Sequence, residues 1–427
     1  MLSCQSPRRG SRAALLRALV APACLCLGPW FARAAEPPPP EKIAAPAAVQ
    51  VLDLAACRRL ALERQPALAA AQASLEAAEA RARALCRLHA IPIVASDLPI
   101  RRQQAELGVA GASAALEQAR WDAVYDVTRT YLMAVYARQH LAVAEDAERD
   151  LAKLKDEAST AGKDRVAEQI GVYIKVVRAR RETAVEGVER ALAALREAIG
   201  LDANAPIAVA DAKLPALTPA VSRDDVLAQA QSRRGEIVQT AAAAEVTGYE
   251  VKAQESKRFA PSFRTFASAS DIHAQPVPQA SRGTEYHPGA IGPEMPTTLV
   301  GKREDRVAQA QALSARADAV AGKTRGLIAL EADDAFHRWQ ETSRRLPKAR
   351  DAADSAKSLG DKLSKDAKDP NLDVRFSEAM AAGAIASQLR LEENEVHLQH
   401  LLNLATLERV TAGGFNAGFV PAPATQP

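Results

Sequence analysis

The sequence predicts a mainly α-helical chain, folded as two tandem long coiled-coil helical hairpins with one short β-hairpin insert. Three observations predict it. The composition is rich in Ala, Glu, Arg, Leu and Gln, and aromatic residues make up only 4%, too few for a sandwich or α/β core. Apolar residues recur at 3-4 spacing over stretches longer than any ordinary globular helix. One block of the chain also recurs later in it.

Residues 1–35 read as a secretory signal. Arg8, Arg9, Arg12 and Arg17 form a basic n-region, Ala18 to Phe31 an apolar h-region, and Ala32-Arg33-Ala34 a small-x-small cleavage site. Without this segment the 55 basic and 52 acidic residues become 50 against 52, because five arginines and no acids leave with it. A mature charge near zero lacks the basic footprint of a nucleic-acid binder. Cys4, Cys24 and Cys26 also leave, and the residues before Cys24 and Cys26 fit a lipoprotein box poorly. Cys57 and Cys86 remain; on one helix they would stand roughly 43 Å apart, so both are expected to be free core residues. No other stretch approaches the ~20 apolar residues of a transmembrane helix.

Glu36 to Gln50, with four consecutive prolines, reads as an extended leader. A first helix is expected over Leu52–Leu88 and a second, about 85 Å long, over Arg102–Ser159. Its distal seam is Ala144, Ala147, Leu151, Leu154 and Ala158; after a tip at Ala161-Gly162-Lys163 the pattern resumes through Val166, Ile170, Tyr173 and Val177, then Val188, Leu192, Leu195 and Ile199, to a stop at Gly200. This completes a first hairpin repeat over residues 51–201. Residues 202–222 hold three prolines around Ile207-Ala208-Val209 and read as a linker or belt.

A second repeat, 223–412, follows. Ser232-Arg233-Arg234-Gly235 matches Glu63-Arg64-Gln65-Pro66 at an offset of 169, and Ala335 to Gln340 matches Ala134 to Gln139 at an offset of 201. The second copy thus gains about 32 residues between these blocks. They lie in the insert 259–302, where Phe259, Phe263 and Phe266 belong to a period-two strand pattern and Leu299-Val300 closes a shorter strand candidate. A long helix from Glu304 to Lys365, a tip near Asp369-Pro370-Asn371 and a return helix from Val374 to Thr411 repeat the hairpin. Residues 413–427 read as a disordered tail.

Across nearly the whole mature chain this plan resembles the TolC-type outer-membrane efflux family. The local resemblances are Leu60 to Leu68 for the opening segment, Tyr125 to Gln139 for the Tyr-rich mid-helix stretch and Ala158 to Gly162 for the first tip. The resemblance implies a homotrimer: a twelve-helix α-barrel in the periplasm, carried by a small β-barrel in outer-membrane lipid. It also implies a passive exit duct for substrates of an inner-membrane pump and its periplasmic adaptor, the membrane fusion protein. The adaptor-docking tips would be Ala161, Gly162, Lys163 and Pro370, Asn371, Leu372. The membrane element would be Phe259, Phe263, Phe266, Leu299 and Val300. One departure stands out: the first junction, residues 87–101, is too short for two membrane strands of about nine to eleven residues each.

Asp361, Asp366, Asp369 and Asp373 near the second tip could ring an aperture, although interleaved lysines also suit a solvated face. His397 and His400 share a helical face with Glu393, a spacing that metals use but that usually means solvent-facing or capping side chains. No metal site and no cofactor are expected. Trp121, Tyr125 and Tyr131 read as packing. With no Ser-His-Asp order, P-loop, dinucleotide glycine pattern or CxxC pair, an enzyme is not expected. The alternative to a duct is a periplasmic coiled-coil scaffold or adaptor-like protein without a pore.

Overall fold

Pro66 and Gly235 punctuate the chain at matching places, and each ends a short helix that the pattern alone would run on. In the computed structural model, which describes residues 49–88, 96–256, 299–367 and 376–419, the described residues all belong to one compact unit, residues 48–427. The expected signal segment lies outside them.

Helix α1 spans Leu54–Arg64 and α2 spans Pro66–Arg87. The single helix expected over Leu52–Leu88 is therefore broken at Gln65, whose ψ of 119° is extended. Pro66 disfavours α geometry in the residue before it, and sits at the first helical position, where its missing N–H costs nothing. Asp53 starts α1 by accepting the Ala56 amide at 2.7 Å. Later in the chain, α5 (Arg223–Arg233) and α6 (Gly235–Ser256) reproduce α1 and α2, each pair running 11 and 22 residues. Here Ser222 caps α5 through the Asp225 amide.

The long elements are α3 (Leu98–Thr160, 63 residues), α4 (Asp164–Ile199), α7 (Arg303–Asp366, 64 residues) and α8 (Phe376–Val410). At 1.5 Å per residue α3 and α7 are each about 95 Å long. Toward the α3–α4 tip, α4, α3, α8 and α7 stand side by side in that order; toward the other end the order is α2, α3, α6, α7. Both halves are one-layer walls, and each leaves two edges open: α7 on one side, α2 or α4 on the other. Small Ala residues permit the close approach, as at buried Ala158, Ala167, Ala253, Ala310 and Ala332. The α4 seam runs through Ala167, Ile170 and Ile174, while Tyr173, expected in it, is 50% exposed. Ile174 holds the 3-4 step that keeps a seam on one face, and Tyr173 falls beside it.

The main core sits where the halves meet. Strand β1 (Gln50–Leu52) pairs in parallel with β2 (Ile207–Val209), Gln50 opposite Ile207 and Leu52 opposite Val209. Thus Gln50–Leu52, expected at the end of the leader and the start of the first helix, is a strand. Leu52, Ile207 and Val209 pack with Tyr131, Leu132, Val135, Leu195, Ile199, Leu401 and Leu404. Gly200 stops α4 in the left-handed region at φ +78°, with the Leu201 amide donating back to the Arg196 carbonyl at 2.8 Å. The tail expected to be disordered from Gly413 is packed as far as Phe419: Ala417 is 3% exposed and its amide donates to Glu408.

Candidate functional site

Three places carry the sequence-predicted residues: the first tip, the belt and the far junctions. At the tip, α3 ends with the Lys163 amide donating to the Ala158 carbonyl and the Gly162 amide to the Ser159 carbonyl, both at 3.0 Å. Gly162 supplies the positive φ (+70°) that this double cap needs. Ala161, Gly162 and Lys163 are all exposed. The tip is also tied sideways. Phe376, the first residue of α8, is 4% exposed in a cluster with Leu154, Ala158, Ala167, Ile170 and Ile174, and the Lys163 ammonium lies 4.6 Å from its ring centre. Asp361 is exposed and Asp366 half-buried on the last turns of α7. Asp369, Pro370, Asn371, Leu372 and Asp373 lie outside the described residues.

At the belt the two histidines of α8 hold the linker. The His397 Nε2–H donates to the Pro215 carbonyl at 3.0 Å, and the His400 Nε2–H to the Leu217 carbonyl at 3.3 Å. They are neither solvent-facing nor helix caps, because the prolines of the linker remove backbone donors and leave carbonyls that need partners. Burial lowers the pKa of both imidazoles from the usual 6.5, against the pull of the carbonyl bonds. Across the core, Tyr131 donates to Asp211 at 2.7 Å and Arg138 to the Val209 carbonyl at 2.7 Å. Trp121 packs on the tail: a side chain at Gly413 would overlap its ring. The Arg409 guanidinium lies over the Tyr125 ring at 5.2 Å. Cys57 is buried, and burial followed by the charge of Asp53 pushes its thiol up to about 12, which leaves it unreactive. Cys86 is free but exposed, not a core residue, because it falls on the outer face of α2.

Two buried ionic networks went unread in the sequence. Arg234, in the break between α5 and α6, bonds Glu236 at 2.6 and 2.9 Å and meets Glu331 of α7 at 3.0 Å; Arg409 joins from α8. Burial opposes the charge on Arg234, yet the Glu236 hydrogen bond and the Glu331 charge raise its pKa on balance. At the junction end, Arg101 bonds Asp97 and Glu250, while Arg306 reaches Gln254 at 2.9 Å, tying α3, α6 and α7 together. The detectable signal was an arginine beside a helix break.

The junctions differ. Only residues 88–97 separate α2 from α3, and Arg102 donates to the Leu85 carbonyl at 3.0 Å and the Leu88 carbonyl at 2.8 Å, closing the end of α2. Residues 257–302 separate α6 from α7. Phe259, Phe263 and Phe266 lie outside the described residues. Leu299 and Val300 are described and are not in a strand: Leu299 is 1% exposed, and Gln309 of α7 binds the Val300 amide and carbonyl at 3.4 and 2.7 Å, replacing ladder partners. Among the described residues no helix is long and apolar enough to cross a membrane, and no group of three His, Cys, Asp or Glu side chains could hold a metal.

This wall of paired long helices, broken at Gln65 and Arg234 and belted at its middle, is the fold of the TolC-type outer-membrane channels. The chain superposes on the Campylobacter jejuni CmeC outer membrane channel with a TM-score of 0.65 at 14% identity, over 86% of each chain. The open-state Neisseria gonorrhoeae MtrE outer membrane channel gives 0.65 at 14% identity, over 84% of this chain and 89% of that one. For the Vibrio cholerae outer membrane protein VceC the values are 0.63, 16%, 85% and 97%. No protein-family model matches the chain, and no curated protein sequence does.

Proposed function

We propose that the chain is the outer-membrane channel component of a tripartite efflux or type I secretion system. It would be a passive duct whose helical body stands in the periplasm and whose assembly is a homotrimer in outer-membrane lipid. The observation that carries this reading is the one-layer wall with two open edges, α7 on one side and α2 and α4 on the other. Contact between two different edges is head to tail, and such contacts close into a ring where the rotation from one copy to the next permits it. Exposed Val172, Tyr173 and Val176 on α4, and Leu330 and Leu359 on α7, supply apolar surface there. The fold shared with channels supports a bore inside that ring. A tube of this kind works without catalytic groups: a polar lining, a closable end and docking surface suffice. In this reading Ala161, Gly162 and Lys163, with Pro370, Asn371 and Leu372, dock a periplasmic adaptor, and Asp361, Asp366, Asp369 and Asp373 line the aperture beside them.

The short α2–α3 junction favours a second reading, a periplasmic scaffold without a pore. Mass measurement of the detergent-extracted protein with electron imaging separates the two. A three-copy ring with a continuous lumen is expected; a monomer, a dimer or a solid trimer overturns the duct.

A further inference from the structure

A groove of about 500 Å³ crosses the wall where α3, α8 and α7 stand side by side. Tyr136 and His140 of α3, Arg345 of α7, and Glu392, Glu395 and Gln399 of α8 are among its lining. Its face can be assigned. Tyr131 of α3 and His397 of α8 point to the belt, through Asp211 and Pro215. At 100° per residue, Tyr136 and His140 lie about 140–180° round α3 from Tyr131, and Glu392, Glu395 and Gln399 about 140–160° round α8 from His397. The groove is therefore on the wall face opposite the sheet and linker. That bulk would fill a bore if it faced inward, so in a closed ring the groove looks into the lumen.

Its chemistry selects charge. The Arg345 guanidinium is engaged by Glu341 at 3.1 Å. Glu392 and Glu395 are exposed and have no cationic partner among the described residues. Beside them Tyr136 and His140 form a half-buried aromatic pair with ring centres 5.9 Å apart. Burial, and after it the charge of Glu395, which lines the same groove, raise the Tyr136 hydroxyl. Two carboxylates and an aromatic pair lining one groove together favour a cation that carries an apolar ring, and about 500 Å³ is room enough for one.

We propose that this groove is a binding site for organic cations carrying aromatic rings, set in the duct wall on the inner side of the belt. The assignment rests on the duct reading for its inward position and on the groove itself for its chemistry. Ethidium is the probe, titrated by fluorescence into the mature full-length protein in uncharged detergent, with the anion 8-anilinonaphthalene-1-sulfonate in parallel. Ethidium is expected to bind in preference to the anion. E392Q/E395Q should raise its Kd at least about tenfold, and Y136L, which keeps an apolar packing group, about three- to tenfold. Unchanged ethidium affinity in E392Q/E395Q, or equal binding of the anion, overturns the site; no effect of Y136L reduces it to an acidic patch and overturns it as well. All affected positions are exposed or half-buried, and unchanged thermal unfolding of the variants shows that the fold is intact. The same preparation reports assembly. Selective binding without a ring leaves the groove standing and removes the duct, whereas a hollow ring without selective binding removes the groove alone.

Discussion

At Gly200 the backbone is held where only glycine rests easily. Its φ is +78°, and a Cβ there would stand 2.8 Å from the Arg64 carbonyl oxygen, at the point where α1 stops against the end of α4. Gly200→Ala is expected to cost about 1–3 kcal/mol for the left-handed backbone, before any displacement of α1. Chemical denaturation of the variant measures it, and a loss within error of zero would mean that the belt gives way without strain. His397 and His400 make a second expectation. Their pKa values are lowered in the folded chain, so below the ordinary 6.5 the unfolded chain takes up protons that the folded belt refuses. Stability should therefore hold above pH 6.5 and decline as the pH falls below it. H397Q/H400Q, with amides that can still donate to the linker carbonyls, should flatten that decline in melts collected between pH 5 and 8.

At the scale of elements, the ring of Phe376 helps to tie the second hairpin to the first near the tips. Phe376→Ala removes a 4% exposed side chain from the Leu154–Ile174 cluster, a truncation that costs about 3–5 kcal/mol in a packed core. The loss should be local. Hydrogen exchange is expected to quicken around Ala158 to Ile170 while the belt stays protected, and K163Q should do much less. What was legible in the sequence follows from the same physics. The seams of α3 and α4, the Gly162 tip and the Gly200 stop depend on neighbours three or four residues away, and each can be read from spacing. The break at Gln65 was hidden because Ala-rich pattern continues on both sides of Pro66. Strand β1 is three residues long and finds its partner in Ile207–Val209, far along the chain. Arg101, Arg234 and Glu250 look like solvated helix residues until other helices cover them. Leu299-Val300 alternates like a strand, but Gln309 takes the bonds that a strand would make.

For the whole molecule, the open edges decide. Tyr173 and Val176 are exposed on α4, and Y173E/V176E places two carboxylates on an edge that the proposed ring would bury. Buried unpaired charge is expensive, so the variant is expected to run as a single chain while keeping its helical circular dichroism. Light scattering in detergent gives the mass; a variant that still assembles would put the contact elsewhere. Arg102 sets a further property of such a ring. It caps the end of α2, and only residues 88–97 lead on to α3, whereas residues 257–302 separate α6 from α7. Three chains would then present six hairpins at the tip end and only three large inserts at the other. The tube would have nearly sixfold symmetry where an adaptor meets it and strictly threefold symmetry at its crown. A partner counting six equivalent positions could bind one end, and only a partner counting three could bind the other.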